Sequence, residues 1–131
     1  TGVQTCALPI FGQLPGYFIP DMFAKAQNGG IDLKGGFTTK DFVYVEDVAR
    51  AFVTALETPF VGPVNIGTGR ESRLERVAYL IHSQVGGTFN FEDNDVGTRM
   101  RSDSTRAKRI LDWGPTLTFE EGLYATICSH V

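Results

Sequence analysis

Short apolar runs rich in β-branched and aromatic residues alternate along this chain with longer segments of helical period, and Gly or Pro punctuates nearly every junction. Phe42-Val43-Tyr44-Val45 is a compact run that predicts a strand buried on both faces, and Val64-Asn65-Ile66 predicts another strand. Between them, Glu46 and Asp47 put negative charge where a helix starts. Val48, Phe52, Ala55 and Leu56 follow as its predicted apolar stripe, and Thr58-Pro59 stops it. A chain patterned this way folds as α/β, with helices covering parallel strands.

The remaining segments repeat the pattern. Ile19, Met22, Phe23 and Ala26 recur at helical spacing, Pro20 is tolerated in a first turn, and Gly29-Gly30 ends the segment. Ile31 to Leu33 is a short strand before Gly35-Gly36. Ser72 with Glu75 reads as a capping box ahead of Leu74, Val77, Ala78, Ile81 and Val85, with Gly86-Gly87 as the stop. The stretch from Glu92 to Asp95 is acidic and polar. Ala107, Ile110 and Leu111 mark a short helix ended by Gly114-Pro115. Thr118 with Glu121 forms a second capping box, opening a last helix with Phe119, Leu123 and Ile127 inward.

The first ten residues, TGVQTCALPI, keep neither period and match the conceptual translation of a common sequencing-adapter oligonucleotide at every position. Residues 1–10 are therefore expected to be a non-native scar without packed secondary structure, and 11–131 the domain proper. Cys6 drops out on this reading, and the biological chain is expected to continue upstream of Phe11.

Composition narrows the function classes. Twelve Lys and Arg against fifteen Asp and Glu leave a net charge of −3, with no basic excess for nucleic acid or an anionic membrane. Cys6 and Cys128 lie far apart, so neither a disulfide framework nor a zinc site is expected, and the default compartment is cytoplasmic. No metal ligands are assigned.

Catalytic constellations are absent. The chain has no G-x-S-x-G, H-E-x-x-H or C-x-x-C, and Tyr17, Tyr44, Tyr79 and Tyr124 are each followed four residues later by something other than Lys. His82, near the edge of an apolar helix face, reads as a structural histidine. Gly67-Thr68-Gly69 follows a strand, with Glu92 and Asp93 at a tempting distance for a ribose contact. Ser72 stands where the third glycine belongs, so it reads as a plain turn and not a dinucleotide fingerprint.

Five segments in order carry a resemblance: Y-F-I-P-D-M-F-A-K-A, K-D-F-V-Y-V-E-D-V-A-R-A, V-N-I-G-T-G, S-D-S-T-R-A-K-R-I-L-D-W-G-P and T-F-E-E-G-L. Together they resemble the C-terminal half of the NAD-dependent epimerase/dehydratase family, the extended short-chain dehydrogenases acting on nucleotide sugars. The resemblance implies the C-terminal part of a Rossmann-type fold, including its small substrate-binding lobe. The family's NAD-binding fingerprint and its Tyr-x-x-x-Lys group lie upstream of this region. The expected full-length protein is therefore an NAD- or NADP-dependent homodimeric enzyme, acting by transient hydride transfer as an isomerase, lyase or oxidoreductase. The chain itself is expected to be inactive and to bind no cofactor.

Carried over by position, Phe18 falls against the nucleotide, and Ile31 to Lys34 on the strand beside base and ribose. Lys40 stands where the family has an arginine on the diphosphate, keeping the charge but losing the bidentate fork. Thr88 to Asp95 holds no cation where the second diphosphate arginine would stand, which leaves Arg99 or Arg101 as substitutes. Asp103 matches the Asp that opens the next helix and also reads as a cap. Lys40 is expected to face a concavity shared with Phe18 and the Ile31–Lys34 strand. Two other readings stay open: a non-catalytic dinucleotide-sensing relative, and a reductase of small carbonyl compounds.

Overall fold

The computed structural model describes residues 2–5, 14–93 and 96–130. In chain order the elements are β1 (Gly2–Thr5), α1 (Phe18–Gln27), β2 (Gly30–Lys34), β3 (Thr39–Lys40), α2 (Val45–Glu57), β4 (Pro63–Ile66), β5 (Ser72–Arg73), α3 (Leu74–Val85), β6 (Thr88–Glu92), α4 (Thr105–Leu111) and α5 (Phe119–His130). They fall into two units, one of residues 1–11, 41–71 and 100–131, the other of residues 12–40 and 72–99. The class is α/β, as the alternation predicts.

In the first unit β1 and β4 pair in parallel, Val3 opposite Val64 and Thr5 opposite Ile66. This corrects the expectation that residues 1–10 lack secondary structure. Strand pairing is made by backbone groups, and buried β4 needs a neighbour; an extended segment with Val and Thr serves without any side-chain period. Cys6, Leu8, Ile10 and Phe11 lie outside the described residues. The core gathers Val43, Val48, Ala51, Val64, Ile66, Ala107, Leu111 and Trp113. Helix α4 stops at Leu111 because Asp112 turns left-handed, φ 47°, ahead of the expected Gly114-Pro115 stop.

Two expectations for this unit fail together. Phe42 to Tyr44 form no strand, and Val45 already opens α2. Phe42 and Val43 are buried as predicted, but as an extended lead-in whose Phe42 ring packs 5.7 Å from that of Phe119. Helix α2 is also rolled from its predicted face: Asp47, Val48 and Ala51 are buried, while Phe52 and Leu56 are exposed. The cause is the Asp47 carboxylate, which accepts from the Thr116 amide at 3.0 Å, the Thr116 hydroxyl at 2.6 Å and Arg50 at 3.0 Å. Trp113 Nε1 donates to the Asp47 carbonyl at 2.8 Å. A carboxylate with that many donors turns inward, and the helix turns with it.

The second unit follows its sequence more closely. Ile19, Met22, Phe23 and Ala26 of α1 are all buried, as are Val77, Ala78 and Ile81 of α3. The two helices pack on each other and on the parallel pair β2–β6. Strand β6 is not among the predicted elements. Its alternation, Phe89 and Phe91 half-buried between exposed neighbours, is the signal that could have found it. The capping box at Ser72 and Glu75 does not form, since Ser72 sits in β5. Carbonyls of Thr38 and Gly36 instead accept the Leu74 and Glu75 amides at 3.0 and 3.1 Å. Gly36 must be glycine there: a Cβ would lie 2.6 Å from the Phe91 ring and 2.9 Å from Glu75 Cβ. The other capping box forms in the first unit, with the Glu121 amide donating to Thr118 Oγ1 at 3.2 Å and the Thr118 amide to Glu121 Oε2 at 2.8 Å.

Candidate functional site

Period-two alternation decides what β2 can offer. Ile31 and Leu33 face the core and are buried, while Asp32 and Lys34 face out. The Ile31 side chain is therefore core, and outward recognition from this strand falls to its neighbours. Lys34 stands at the strand's end, opposite Glu92 in the parallel register. Phe18 opens α1 and is half-buried.

Lys40 ends β3, where it pairs with Ser72 across the antiparallel β3–β5 ribbon. It is half-buried, and among the described residues no hydrogen bond or ion pair is made by its ammonium. The preceding residue, Thr39, pairs with Arg73 on one side and bridges Arg99 on the other. Adjacent strand residues point to opposite faces, so Lys40 shares its face with Ser72, while Arg73 and Arg99 flank Thr39 on the other. The Arg73 guanidinium lies 5.1 Å from the centre of the Phe37 ring. The structure thus keeps Phe18, Ile31, Lys34, Lys40 and Arg99 in one unit but sets Lys40 and Arg99 on opposite faces of β3. Arg101 belongs to the other unit, exposed, beside buried Ser102.

The residue after Lys40 goes unmarked by sequence reasoning. Asp41 is fully buried. Its Oδ1 accepts from the Thr68 amide at 2.9 Å and the Thr68 hydroxyl, and its Oδ2 from the Gly69 amide at 2.8 Å and the Ser102 amide at 3.1 Å. Two amides of the Gly67-Thr68-Gly69 turn are therefore taken by an internal anion. Gly67 is required by the same knot, because a Cβ there would overlap Ser102 Cβ and lie 3.1 Å from Asp41 Oδ2. The turn works as an anion nest whose anion is part of the chain. Its only sequence signal is an Asp placed in a strongly apolar run.

The other residues that the sequence draws attention to are structural. The His82 ring stacks on Phe89 at 5.5 Å, with Nδ1 3.3 Å from the Gly86 carbonyl oxygen. Asp103 Oδ1 accepts from the Thr105 amide at 3.0 Å and from its hydroxyl, capping α4, and these bonds hold its carboxyl below the usual range. Burial pushes the Asp47 carboxyl up, but its hydrogen bonds from Thr116, Arg50 and Leu117 together bring it below its ordinary value. No cluster of three or more potential metal ligands occurs among the described residues.

Comparison with known proteins places this fold. The family model described as NAD dependent epimerase/dehydratase family matches residues 9–67. The chain is 34% identical over 96 residues to UDP-glucuronic acid decarboxylase 1 of Xenopus tropicalis, covering 70% of this chain and 23% of that protein. The solved dTDP-glucose 4,6-dehydratase of Bacillus anthracis aligns over 96% of this chain and 43% of its own, with 28% identity and a TM-score of 0.81. UDP-glucose 4-epimerase of Thermotoga maritima, solved with UDP-glucose, aligns over 98% and 44% with 25% identity and a TM-score of 0.80. The chain thus spans about a quarter of that curated relative and under half of those solved structures. On the matched segment and on a Rossmann-type fold shared along nearly its whole length with those enzymes, this chain is similar to the NAD-dependent epimerase/dehydratase family.

Proposed function

We propose that the chain is the substrate-binding, C-terminal part of a nucleotide-sugar epimerase or dehydratase, with Lys40 as a contact to the diphosphate. The observation that carries this is Lys40 itself, a half-buried lysine at the end of β3 whose ammonium has no ion-pair partner among the described residues. A cation in that setting favours an anionic ligand, and a diphosphate supplies one. Phe18 and Lys34, in the same unit, extend the contact toward the nucleotide. The relatives named above are proteins whose names specify UDP- or dTDP-sugars, which supports a nucleoside diphosphate sugar as the ligand class.

NAD or NADP is the cofactor proposed for the full-length protein. The Gly67-Thr68-Gly69 turn does not fit it, because the Thr68 and Gly69 amides already bond Asp41. Residues outside this chain would hold the dinucleotide and move the proton, and the work of this part is to bind and orient the sugar nucleotide. Taken alone it turns nothing over.

Calorimetric titration of the 131-residue chain with UDP tests the reading. Saturable binding is expected, weakened about tenfold or more by Lys40→Ala, the loss of one charge-assisted contact. Lys40→Arg should retain it or tighten it, since a guanidinium adds the bidentate fork. UDP binding that is indifferent to Lys40→Ala refutes the assignment.

A further inference from the structure

The Asp41 carboxylate is fully buried, yet every group that donates to it is neutral: the amides of Thr68, Gly69 and Ser102 and the Thr68 hydroxyl. Among the described residues it forms no ion pair. Burying a charge in this way costs desolvation that an apolar side chain avoids, while a fully satisfied network rigidifies what it joins. What it joins are the chain segments that lead to Lys40. Asp41 directly follows Lys40, the last residue of β3. Thr68 and Gly69 run within a few residues into Ser72, which pairs with Lys40. Ser102 comes as soon after Arg99, which bridges Thr39. One carboxylate therefore ties together the three segments that meet at the Lys40 end of the β3–β5 ribbon. The Ser104 hydroxyl adds a second tie by donating to the Gly67 carbonyl at 2.9 Å. On the other side of Lys40 the ribbon is held by the Thr39 amide donating to the Thr98 carbonyl at 2.8 Å and the Leu74 amide to the Thr38 carbonyl at 3.0 Å.

We propose that Asp41 is a positioning residue for the diphosphate contact: its buried carboxylate fixes the backbone from which Lys40 reaches the ligand, and it touches no ligand itself. The inference rests on the reading of Lys40 as that contact. Successive side chains along a strand point to opposite faces, so turning Asp41 inward to its donors turns Lys40 to the other side of the chain. Consecutive Cα atoms are rigidly spaced across a planar peptide, so a shift of Asp41 is passed directly to Lys40. Lysine needs this anchor more than arginine does. Its ammonium is a point charge on a flexible stem, with no planar fork to orient it on phosphate oxygens. What the fold can set in advance is the origin and direction of that stem, and each degree of freedom fixed before binding is one that the ligand need not order.

A double-mutant cycle read by calorimetric titration with UDP tests this, using the parent chain, Lys40→Ala, Asp41→Asn and the two substitutions together. Asp41→Asn keeps the side-chain shape but removes the charge and sets an amide NH2 against backbone donors. With Lys40 present it should weaken UDP binding about fivefold or more, because the ligand must now order the lysine. In the Lys40→Ala background it should change binding by less than about twofold, since nothing is left to position. Trp113 fluorescence in urea checks that each protein is folded during the titration. Equal weakening in both backgrounds overturns the proposal, because the loss is then general. UDP binding unchanged by Asp41→Asn beside Lys40 overturns it too. If Asp41→Asn is unfolded, Thr68→Val takes its place in the cycle. A weakening of about threefold or more is then expected only beside Lys40, and the same two outcomes overturn the proposal. The nucleotide reading fails by a different result, Lys40→Ala alone leaving UDP binding unchanged, and the positioning role falls with it.

Discussion

Removing the Asp41 carboxylate should be among the most damaging single changes in the first unit. Asp41→Ala leaves three amides, those of Thr68, Gly69 and Ser102, without their acceptor, and leaves the Thr68 hydroxyl with the Arg70 carbonyl at 3.2 Å in place of the carboxylate. Each buried donor left unsatisfied costs about 1–3 kcal/mol, and bonds to an ionised acceptor lie at the upper end. Thr68 and Gly69 are half-buried, so water recovers part of the loss on their side, while Ser102 is buried. A destabilisation of about 3–5 kcal/mol follows, comparable to breaking one side of a buried charged contact. Trp113, the single tryptophan, is buried in the same unit and reports its unfolding. With a urea m-value of about 2 kcal/mol per M, the fluorescence midpoint should fall by about 1.5–2.5 M. If Asp41→Ala does not fold at all, Thr68→Val removes the hydroxyl that donates to Asp41 and accepts from the exposed Arg70 amide at 3.1 Å, and should lower the midpoint by about 0.5 M. A fall under 0.5 M for Asp41→Ala would mean that the knot contributes little, and the argument from donor count would be wrong.

The Asp47 carboxyl is held below its ordinary value near 3.8, so its contribution to stability is fully present above that value and is lost as pH falls through the lower folded value. Trp113-monitored melts from pH 6 to pH 2 should show the loss beginning below about pH 4, with a smaller acid slope in Asp47→Asn; identical slopes would remove Asp47 from the account. Gly36→Ala should destabilise the second unit by about 2–3 kcal/mol in amide-exchange protection of α3, because the new methyl meets both a ring and a helix Cβ. Exchange rates unchanged in α3 would show that the loop yields easily.

The proposed contacts are read from the amino-acid sequence, and the buried network beside them is not. Lys40, Phe18 and Lys34 stand out by their position within the family pattern, and all three fall in one unit. Asp41 does not, since an acidic residue in an apolar run signals burial without naming its partners, and those partners lie 27 to 61 residues away. The face of β3 on which Arg99 stands is equally unreadable, because it depends on a bridge between Thr39 and a segment sixty residues on.

The sequence by itself determined the elements whose evidence is local: the buried stripes of α1 and α3, the Thr118–Glu121 cap, and the α/β class that follows from alternating periods. These rest on side-chain spacing within one or two helical turns, where no distant partner is needed. Tertiary structure decided the rest: Phe42 to Tyr44 as an extended lead-in, β6 as a partner for β2, the roll of α2 about Asp47, and the filling of the glycine turn by Asp41. In these cases apolar pattern is overridden or completed by backbone pairing and charged hydrogen bonds between residues far apart in the chain. A buried carboxylate or an unpaired strand must find its partners wherever the fold brings them, and local propensity carries no record of where that is.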